Sequence, residues 1–214
     1  MKTSEHQVSY RTTNTYSTLN ALTPMTEHVW VVFHGIGYLS RYFLKYFDNL
    51  PANTNYVIAP QAPSKYYLNN MYKNVGASWL TKENTVAETK NDMAYLEAIM
   101  EIEKIPDRCK LLVLGFSQGV SIAMRWVAQH KLPCHHLVLY AGGIPNELQA
   151  SDFKFLLEAN GKITYIFGDS DEFLTPERRD GELEKLHRLF EGSANPLIFK
   201  GGHEIKKELL PALI

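Results

Sequence analysis

Short apolar runs alternate with longer amphipathic stretches along most of this chain. The apolar runs are rich in Val, Ile, Leu and aromatic residues and contain almost no charge, which is typical of strands that are covered on both faces. The runs with this character are 29–33, 56–59, 110–115, 136–140, 162–167 and 196–199. Because each has the length of a strand, the pattern predicts the strands of one mostly parallel sheet.

The stretches between these runs carry a helical period. Within residues 39–50, the apolar side chains of Leu39, Phe43, Phe47 and Leu50 recur at i, i+4, i+8 and i+11, which places them on one face of a helix. The same kind of pattern predicts further helices at 85–104, 120–130, 151–159, 176–190 and 205–213.

The order of these elements predicts an α/β fold. Alternating strands and helices imply right-handed crossovers and a mostly parallel sheet with helices on both faces. The segment 7–19 is rich in β-branched and aromatic residues and has Asn14 at its middle, which predicts an N-terminal antiparallel hairpin. The chain has no internal repeat and no Pro/Ser linker, so we expect a single domain over residues 1–214.

Composition and charge narrow the classes of function. With 214 residues, of which 45% are apolar, the chain can bury a core without disulfides or a metal. The formal net charge is −1, so there is no basic excess of the kind that binds a nucleic-acid backbone. The longest apolar runs have the length of strands, so we expect no membrane span. The sequence does not decide between a monomer and a homodimer.

The cysteine count bears on location. Cys109 and Cys134 are too few for a disulfide framework. Residues 1–10 contain no apolar segment of the kind found in secretion signals. Both observations favour a reducing compartment, so we expect a cytoplasmic location.

A candidate nucleophile follows the third apolar run. Residues 115–119 read Gly-Phe-Ser-Gln-Gly, between a predicted strand and a predicted helix. Gly-x-Ser-x-Gly in this context is the nucleophile elbow, a turn so tight that the positions flanking the serine require glycine. The pattern predicts that Ser117 is exposed above the sheet. It also predicts that the backbone N–H of Gln118, at the start of a helix, stabilises an oxyanion.

A serine hydroxyl needs a general base, and His203 is the strongest candidate among the eight histidines. It follows the last apolar run, after the paired glycines 201 and 202. An acid to orient it is expected after the run 162–167, where Asp169 and Asp171 both qualify and spacing does not choose between them. The chain order of serine, acid and histidine is that of α/β-hydrolases.

The loop after the first apolar run reads His34-Gly-Ile-Gly37. A loop of this kind at this place supplies the second oxyanion donor in such hydrolases. We assign this donor to the backbone N–H of Ile36, and we interpret His34 as a residue that shapes the loop.

Together these motifs resemble the phospholipase/carboxylesterase family, which includes bacterial carboxylesterases and acyl-protein thioesterases. Also similar are the Ala-Pro-Gln-Ala-Pro turn at 59–63 and the Ala-Ser-Trp triplet at 77–79. The resemblance implies an α/β-hydrolase fold and hydrolysis of carboxylic esters or thioesters. The catalytic residues that it implies are Ser117, Asp171 and His203, and the oxyanion donors are Ile36 and Gln118.

The segment 65–79 differs from that family and is unusually aromatic. We hypothesise that Met71, Tyr72 and Trp79 line a pocket for the acyl or alcohol group, together with Phe173; the alternative is that the aromatic residues of 65–79 pack over the edge of the sheet. The connection 142–151 is short, so we expect no large lid.

The sequence therefore predicts a serine hydrolase that forms an acyl-enzyme on Ser117 and acts on a small-molecule ester or thioester. No His-x-x-x-His helix or Cys/His cluster is present, so neither a metal nor another cofactor is expected. Two alternatives share the scaffold. One is a binding module that recognises an acyl ligand without turning it over, and the other is an acyltransferase.

Overall fold

The computed structural model describes residues 2–69 and 71–214. A seven-stranded sheet forms the centre of the protein, and a separate pair of strands forms a second, small sheet. The strands are β1 (Tyr16–Leu19), β2 (His28–Phe33), β3 (Asn55–Pro60), β4 (Ser64–Tyr67), β5 (Val75–Ser78), β6 (Lys110–Phe116), β7 (His136–Tyr140), β8 (Lys162–Gly168) and β9 (Asn195–Phe199).

The order of strands in the central sheet is β1-β3-β2-β6-β7-β8-β9. All neighbours are parallel except β1, which runs antiparallel to β3. The six apolar runs therefore correspond to β2, β3, β6, β7, β8 and β9, and the predicted mostly parallel sheet is confirmed. Every residue of β2, β3 and β7 is buried, as expected for strands that are covered on both faces.

The α-helices are α1 (Ser40–Phe43), α2 (Thr85–Glu103), α3 (Gln118–His130), α4 (Lys154–Glu158) and α5 (Pro176–Phe190). Three 3-10 helices accompany them, at Leu44–Phe47, Ala150–Asp152 and Lys207–Leu213. Helix α5 has the predicted bounds because its start is well marked. Thr175 caps it by accepting the backbone N–H of Arg178, and Pro176 occupies the first turn.

Two predicted helices are less regular than their periods indicate. The pattern over 39–50 yields only α1 and the 3-10 helix that follows it. The predicted C-terminal helix is a 3-10 helix with Pro211 inside it. Because proline lacks a backbone N–H and its ring collides with the preceding turn, an α-helix is not favoured there.

The N-terminal prediction is right about antiparallel pairing and wrong about the partner. β1 pairs with β3, where Tyr16 lies opposite Pro60, and not with residues 7–13. Asn14, assigned to the turn, instead donates its side-chain amide to the carbonyl of Gln61 at 2.7 Å. This bond joins the same two segments just beyond the last β1–β3 pair, Tyr16 and Pro60.

The β4–β5 hairpin was not predicted as such. Its strands pair antiparallel, with Ser64 opposite Ser78 and Tyr67 opposite Val75. The aromatic segment 65–79 is thus mostly a hairpin, and all four residues of β4 are exposed. Within the described ranges, no helix is both long and apolar enough to cross a membrane.

Helices cover both faces of the central sheet, as predicted. Alternate residues of β2 point to opposite sides: Val29, Val31 and Phe33 join one core cluster, whereas Trp30 and Val32 join the other. The first cluster is completed by helices α2 to α5, and the second by α1 and two of the 3-10 helices. The β7–β8 connection contains a 3-10 helix and α4, and its side chains Phe153 and Leu156 pack into the first cluster.

Candidate active site

Ser117 lies in a strained turn between β6 and α3. Its backbone has φ 53° and ψ −119°, a conformation that residues other than glycine rarely adopt. A Cβ atom at Gly119 would stand 2.1 Å from the carbonyl oxygen of Phe33, and one at Gly115 would stand 2.4 Å from that of Gly119. The two flanking glycines are therefore required by close backbone approach, which is the physical basis of the elbow motif.

The three side chains expected to act together are in contact. The distance from His203 Nε2 to Ser117 Oγ is 2.9 Å, and that from His203 Nδ1 to Asp171 Oδ2 is 2.8 Å. The Asp171 carboxylate is fully buried and the His203 side chain is 13% exposed. Because a carboxylate can only accept, Nδ1–H donates to Asp171, and Nε2 is left to accept the serine proton.

The two aspartates left open by the spacing occupy different places. Asp171 also accepts the backbone N–H of Phe173 on its other oxygen, at 2.9 Å. Asp169 instead accepts the backbone N–H of Gly201 at 3.1 Å. Asp169 therefore ties the loop after β8 to the loop that carries His203, and Asp171 holds the imidazole itself.

Two aromatic rings flank the imidazole of His203. The ring centroid of Phe116 lies 5.0 Å away, and that of Phe173 lies 4.8 Å away in an edge-on arrangement. These contacts restrict the imidazole to the orientation in which both of its nitrogens are hydrogen-bonded.

The predicted oxyanion donors lie beside Ser117. The loop approaches so closely that a Cβ atom at Gly35 would stand 3.0 Å from Ser117 Cβ. Ile36 and Gln118 line the same pocket as Ser117. In the part of the chain that the structure describes, neither backbone N–H has an acceptor. Two free donors next to a serine hydroxyl form an arrangement that can stabilise an oxyanion.

His34 is buried and shapes this loop, as interpreted from the sequence. Its Nε2 accepts the backbone N–H of Ala62 at 3.1 Å, so Nδ1 carries the proton and donates to the carbonyl of Gly35 at 2.8 Å. Burial lowers the pKa of His34 to about 4, because a charged imidazole would be desolvated there. His34 therefore stays neutral and fixes the peptide that precedes Ile36.

A short segment, residues 77–80, is hydrogen-bonded to both loops that carry the predicted oxyanion donors. The indole N–H of Trp79 donates to the carbonyl of His34 at 2.9 Å, and the backbone N–H of Gly37 donates to the carbonyl of Ala77 at 2.8 Å. The same segment binds the side chain of Gln118, which accepts the backbone N–H of Trp79 at 2.8 Å and donates to the carbonyl of Leu80 at 2.7 Å. We call residues 77–80 the brace.

A pocket of about 470 Å³ opens over Ser117 and His203. Its walls are mostly apolar and aromatic, and Ile36 and Phe173, which line it, are 53% and 57% exposed. The lining residues are Gly35, Ile36, Tyr38, Phe116, Ser117, Gln118, Ser121, Ala141, Gly142, Gly143, Phe173, Leu174, Arg178 and His203.

The structure brings one of the four expected substrate-binding residues to this pocket. Phe173 lines it, as predicted. Trp79 does not: it is 1% exposed and packs in the core against Phe33. Met71 and Tyr72 project from the β4–β5 hairpin, with exposed fractions of 63% and 72%, and do not line it either. Trp79 instead contacts the loop of Ile36, as part of the brace.

Two features of the site were missed at the level of sequence. Arg178 reaches the pocket from the first turn of α5, and the Gln118 side chain is bound to the brace. The elbow motif had drawn attention only to the backbone of Gln118. No local pattern marks either side chain, because both contacts join segments that are far apart in the chain.

These observations define a class of protein. The sheet order, the elbow after β6 and the order of serine, aspartate and histidine along the chain are those of an α/β-hydrolase. A sequence profile of the family described as "Serine hydrolase (FSH1)" matches residues 43–208, a range that includes Ser117, Asp171 and His203. The chain belongs to this serine hydrolase family.

Solved structures with the same fold include esterases and thioesterases. Acyl-protein thioesterase 2 from Zea mays superimposes with a TM-score of 0.67 at 15% identity, covering 93% of this chain and 95% of that one. Esterase PE8 has a TM-score of 0.62 at 19% identity, with coverages of 94% and 99%. A phospholipase/carboxylesterase from Dyadobacter fermentans has a TM-score of 0.62 at 17% identity, with coverages of 95% and 97%. No curated protein matches the chain by sequence.

Proposed function

We propose that this serine hydrolase cleaves carboxylic esters or thioesters through an acyl-enzyme intermediate on Ser117. One observation carries the proposal: Ser117, His203 and Asp171 form an unbroken hydrogen-bonded series, with contacts of 2.9 and 2.8 Å. A serine hydroxyl becomes an effective nucleophile when a positioned base removes its proton.

In the proposed reaction, Ser117 Oγ attacks the carbonyl carbon of the substrate while its proton passes to His203 Nε2. The buried Asp171 carboxylate stabilises the imidazolium that forms and keeps its ring oriented. His203 then protonates the departing alcohol or thiol. A water molecule, activated by the same imidazole, attacks the acyl-enzyme and releases the carboxylic acid.

The negative charge that develops on the carbonyl oxygen is proposed to be held by the backbone N–H groups of Ile36 and Gln118. Support comes from their position beside Ser117 and their lack of acceptors within the described residues. A single donor of this kind contributes about 3–4 kcal/mol of transition-state stabilisation in another serine hydrolase.

The substrate class follows from the pocket and from the relatives. The mostly apolar lining suits an acyl group, and the volume of about 470 Å³ suits a small or medium-sized ligand. Proteins of the same fold are named as an acyl-protein thioesterase, an esterase and a thioesterase domain from the curacin pathway.

Cys109 and Cys134 are both free thiols, which supports the further proposal of a cytoplasmic location.

Labelling with a fluorophosphonate tests the proposal directly, because this reagent forms a covalent adduct with an activated serine. We expect mass spectrometry to find the adduct on Ser117 and Ser117→Ala to lower kcat/KM for 4-nitrophenyl butyrate by roughly 10⁴-fold or more. Ser121 lines the same pocket and provides the control: Ser121→Ala should keep the adduct on Ser117. An adduct on Ser121, or none at all, would refute the proposal.

A further inference from the structure

The pocket over Ser117 contains one permanent charge. Among its lining residues, Arg178 is the only lysine or arginine, and none is an aspartate or glutamate. The remaining polar side chains belong to the proposed catalytic machinery, except for two hydroxyl groups. That of Ser121 donates to the carbonyl of Gln118 at 3.0 Å, and that of Tyr38 lies 3.2 Å from the hydroxyl of Tyr46. The reaction proposed above gives Arg178 no role.

The guanidinium of Arg178 is held at the pocket by one hydrogen bond. Nη1 donates to the carbonyl of Phe173 at 2.8 Å, and Nη2 lies 3.2 Å from the position that a Cβ atom at Gly143 would occupy. A side chain at residue 143 would therefore crowd the guanidinium. One bond positions the group and leaves most of its five N–H donors available.

The buried carboxylate of Glu182, four residues after Arg178 on α5, is already hydrogen-bonded to other groups. Glu182 is 5% exposed; its Oε2 accepts the backbone N–H of Ile144 at 2.7 Å, and its Oε1 pairs with Lys185 at 3.2 Å. Arg178 forms no ion pair with any carboxylate in residues 2–69 and 71–214. Within the described part of the chain, the guanidinium of Arg178 therefore has no directly paired carboxylate, although Glu182 Oε1 lies 3.6 Å from the same Cβ position at Gly143.

An unpaired guanidinium beside aromatic and aliphatic walls favours one kind of ligand. Arg178 is exposed at the pocket, where Phe173 and Leu174 are also lining residues, so a neutral acyl chain seated there would displace water from the guanidinium without replacing its hydrogen bonds. A carboxylate or phosphate would accept two N–H groups at once and neutralise the charge.

We propose that Arg178 binds an anionic group, a carboxylate or a phosphate, carried by the substrate near its scissile carbonyl. This inference rests on the proposed function of Ser117. It makes the preferred substrates acidic esters, such as the half-esters of dicarboxylic acids, and assigns Arg178 the role of a specificity-determining residue. Either the acyl part or the leaving group can carry the anion.

The test compares esters that differ only in charge. Mono-(4-nitrophenyl) glutarate and adipate carry the anion on the acyl side, and 4-nitrophenyl valerate and hexanoate are neutral esters of similar length. The butyrate ester of 4-hydroxybenzoate carries the anion on the leaving group, with phenyl butyrate as its neutral match. We expect the unmodified protein to prefer an anionic ester on at least one side by about tenfold or more in kcat/KM.

Arg178→Gln should lower kcat/KM for the preferred anionic ester by about 10- to 100-fold and change that for its neutral match by less than about threefold. The adjacent Arg179→Gln is the matched control, because Arg179 does not line the pocket, and it should keep the preference. Arg178→Lys, which keeps the positive charge but loses the planar guanidinium, should retain part of the preference for the anionic ester.

The outcomes separate this inference from the proposed function. The role of Arg178 is refuted if the protein hydrolyses neutral esters at least as well as both anionic sets. It is also refuted if Arg178→Gln leaves the ratio of kcat/KM for anionic and neutral esters unchanged. In both cases the proposed hydrolase activity is still supported. If no ester is hydrolysed and Ser117 is not labelled, the proposed function itself fails. Turnover of the neutral esters by each variant reports that it is folded.

Discussion

At the scale of single residues, Asp169 and Asp171 make different contacts in the loop after β8. Asp171 is buried against His203, whereas Asp169 is exposed and binds the backbone of Gly201. Both carboxylates stabilise the same pair of loops, yet only Asp171 faces an imidazole. Their side chains are chemically identical, so any difference between their variants reports position alone.

We expect Asp171→Asn to lower kcat by about 10⁴-fold with little change in KM, because an amide does not stabilise the imidazolium and can hold His203 in the wrong tautomer. Asp169→Asn should stay within about threefold of the unmodified protein, since the asparagine oxygen can still accept the N–H of Gly201. Steady-state kinetics, with circular dichroism as a check on folding, measure both. Equal losses in the two variants would contradict the assignment of Asp171.

The motifs predicted the backbone positions of this site better than its side-chain contacts. A tight turn dictates glycine, so the elbow at Ser117 is visible in the sequence. The choice between Asp169 and Asp171 came from the family resemblance, because both residues follow the same strand. Trp79 was assigned to the pocket because it is aromatic, but the direction in which a side chain points depends on the packing of segments that are distant in sequence.

At the scale of elements, the brace joins the β4–β5 hairpin to the site. Its residues 77–80 contact the loop of Ile36 through His34 and Gly37, and they contact the elbow through the Gln118 side chain. The two proposed oxyanion donors lie on loops that leave the adjacent strands β2 and β6, and the brace adds hydrogen bonds to both loops. The hairpin therefore contacts both loops without lining the pocket.

We expect Trp79→Phe to lower kcat by roughly tenfold while KM changes little, because it removes the N–H that holds the carbonyl of His34, along with part of the buried ring. Trp30→Phe is the matched control: it also removes a buried indole hydrogen bond, to Asn55 at 3.0 Å, on the other side of the sheet. That variant should lose stability but keep kcat. A similar fall in kcat in both variants would mean that Trp79 has only a structural role.

Local patterns predicted the elements of the central sheet, but not the partners of every strand. The buried strands have continuous apolar runs, and α5 begins at a Thr175-Pro176 cap, so both kinds of element are marked within a few residues. The pairing of β1 with β3 joins residues about forty positions apart, for example Tyr16 and Pro60. Pairing at that distance is decided by tertiary packing, which a local pattern does not contain.

At the scale of the whole molecule, the residues proposed to act in catalysis lie at one edge of the sheet. The loops after β2, β6, β8 and β9 carry Ile36, Ser117, Asp171 and His203, and because these strands are parallel, all four loops leave from the same edge. Away from this edge, helix α2 carries a buried carboxyl group. The carboxyl group of Asp92 is 1% exposed, and its Oδ2 has no hydrogen-bond partner within the described residues.

Burial, with a smaller contribution from Glu88, raises the pKa of Asp92 to about 8. The folded protein therefore holds a proton that the unfolded chain releases near pH 4, so this group makes the free energy of unfolding fall between about pH 4 and pH 8. We expect Asp92→Asn to remove that fall. The free energy of unfolding of the variant should exceed that of the unmodified protein by an amount that grows by up to about 1.4 kcal/mol per pH unit.

Urea unfolding at pH 5, 6.5 and 8 measures this gain. Asp107→Asn, at an exposed position, is the control and should follow the curve of the unmodified protein. If Asp92→Asn ran parallel to the unmodified protein over the whole range, Asp92 would be ionised in the folded state, and the prediction would be wrong.

The backbone strain at Ser117 bears on which residue selection would favour at this position. Glycine would adopt the conformation there with little strain, so natural selection for stability alone would favour its replacement. A gene copy released from the need to catalyse would thus gain by losing the serine. A serine at this strained position, between Gly115 and Gly119 and in contact with His203, fits the catalytic role that we propose for Ser117.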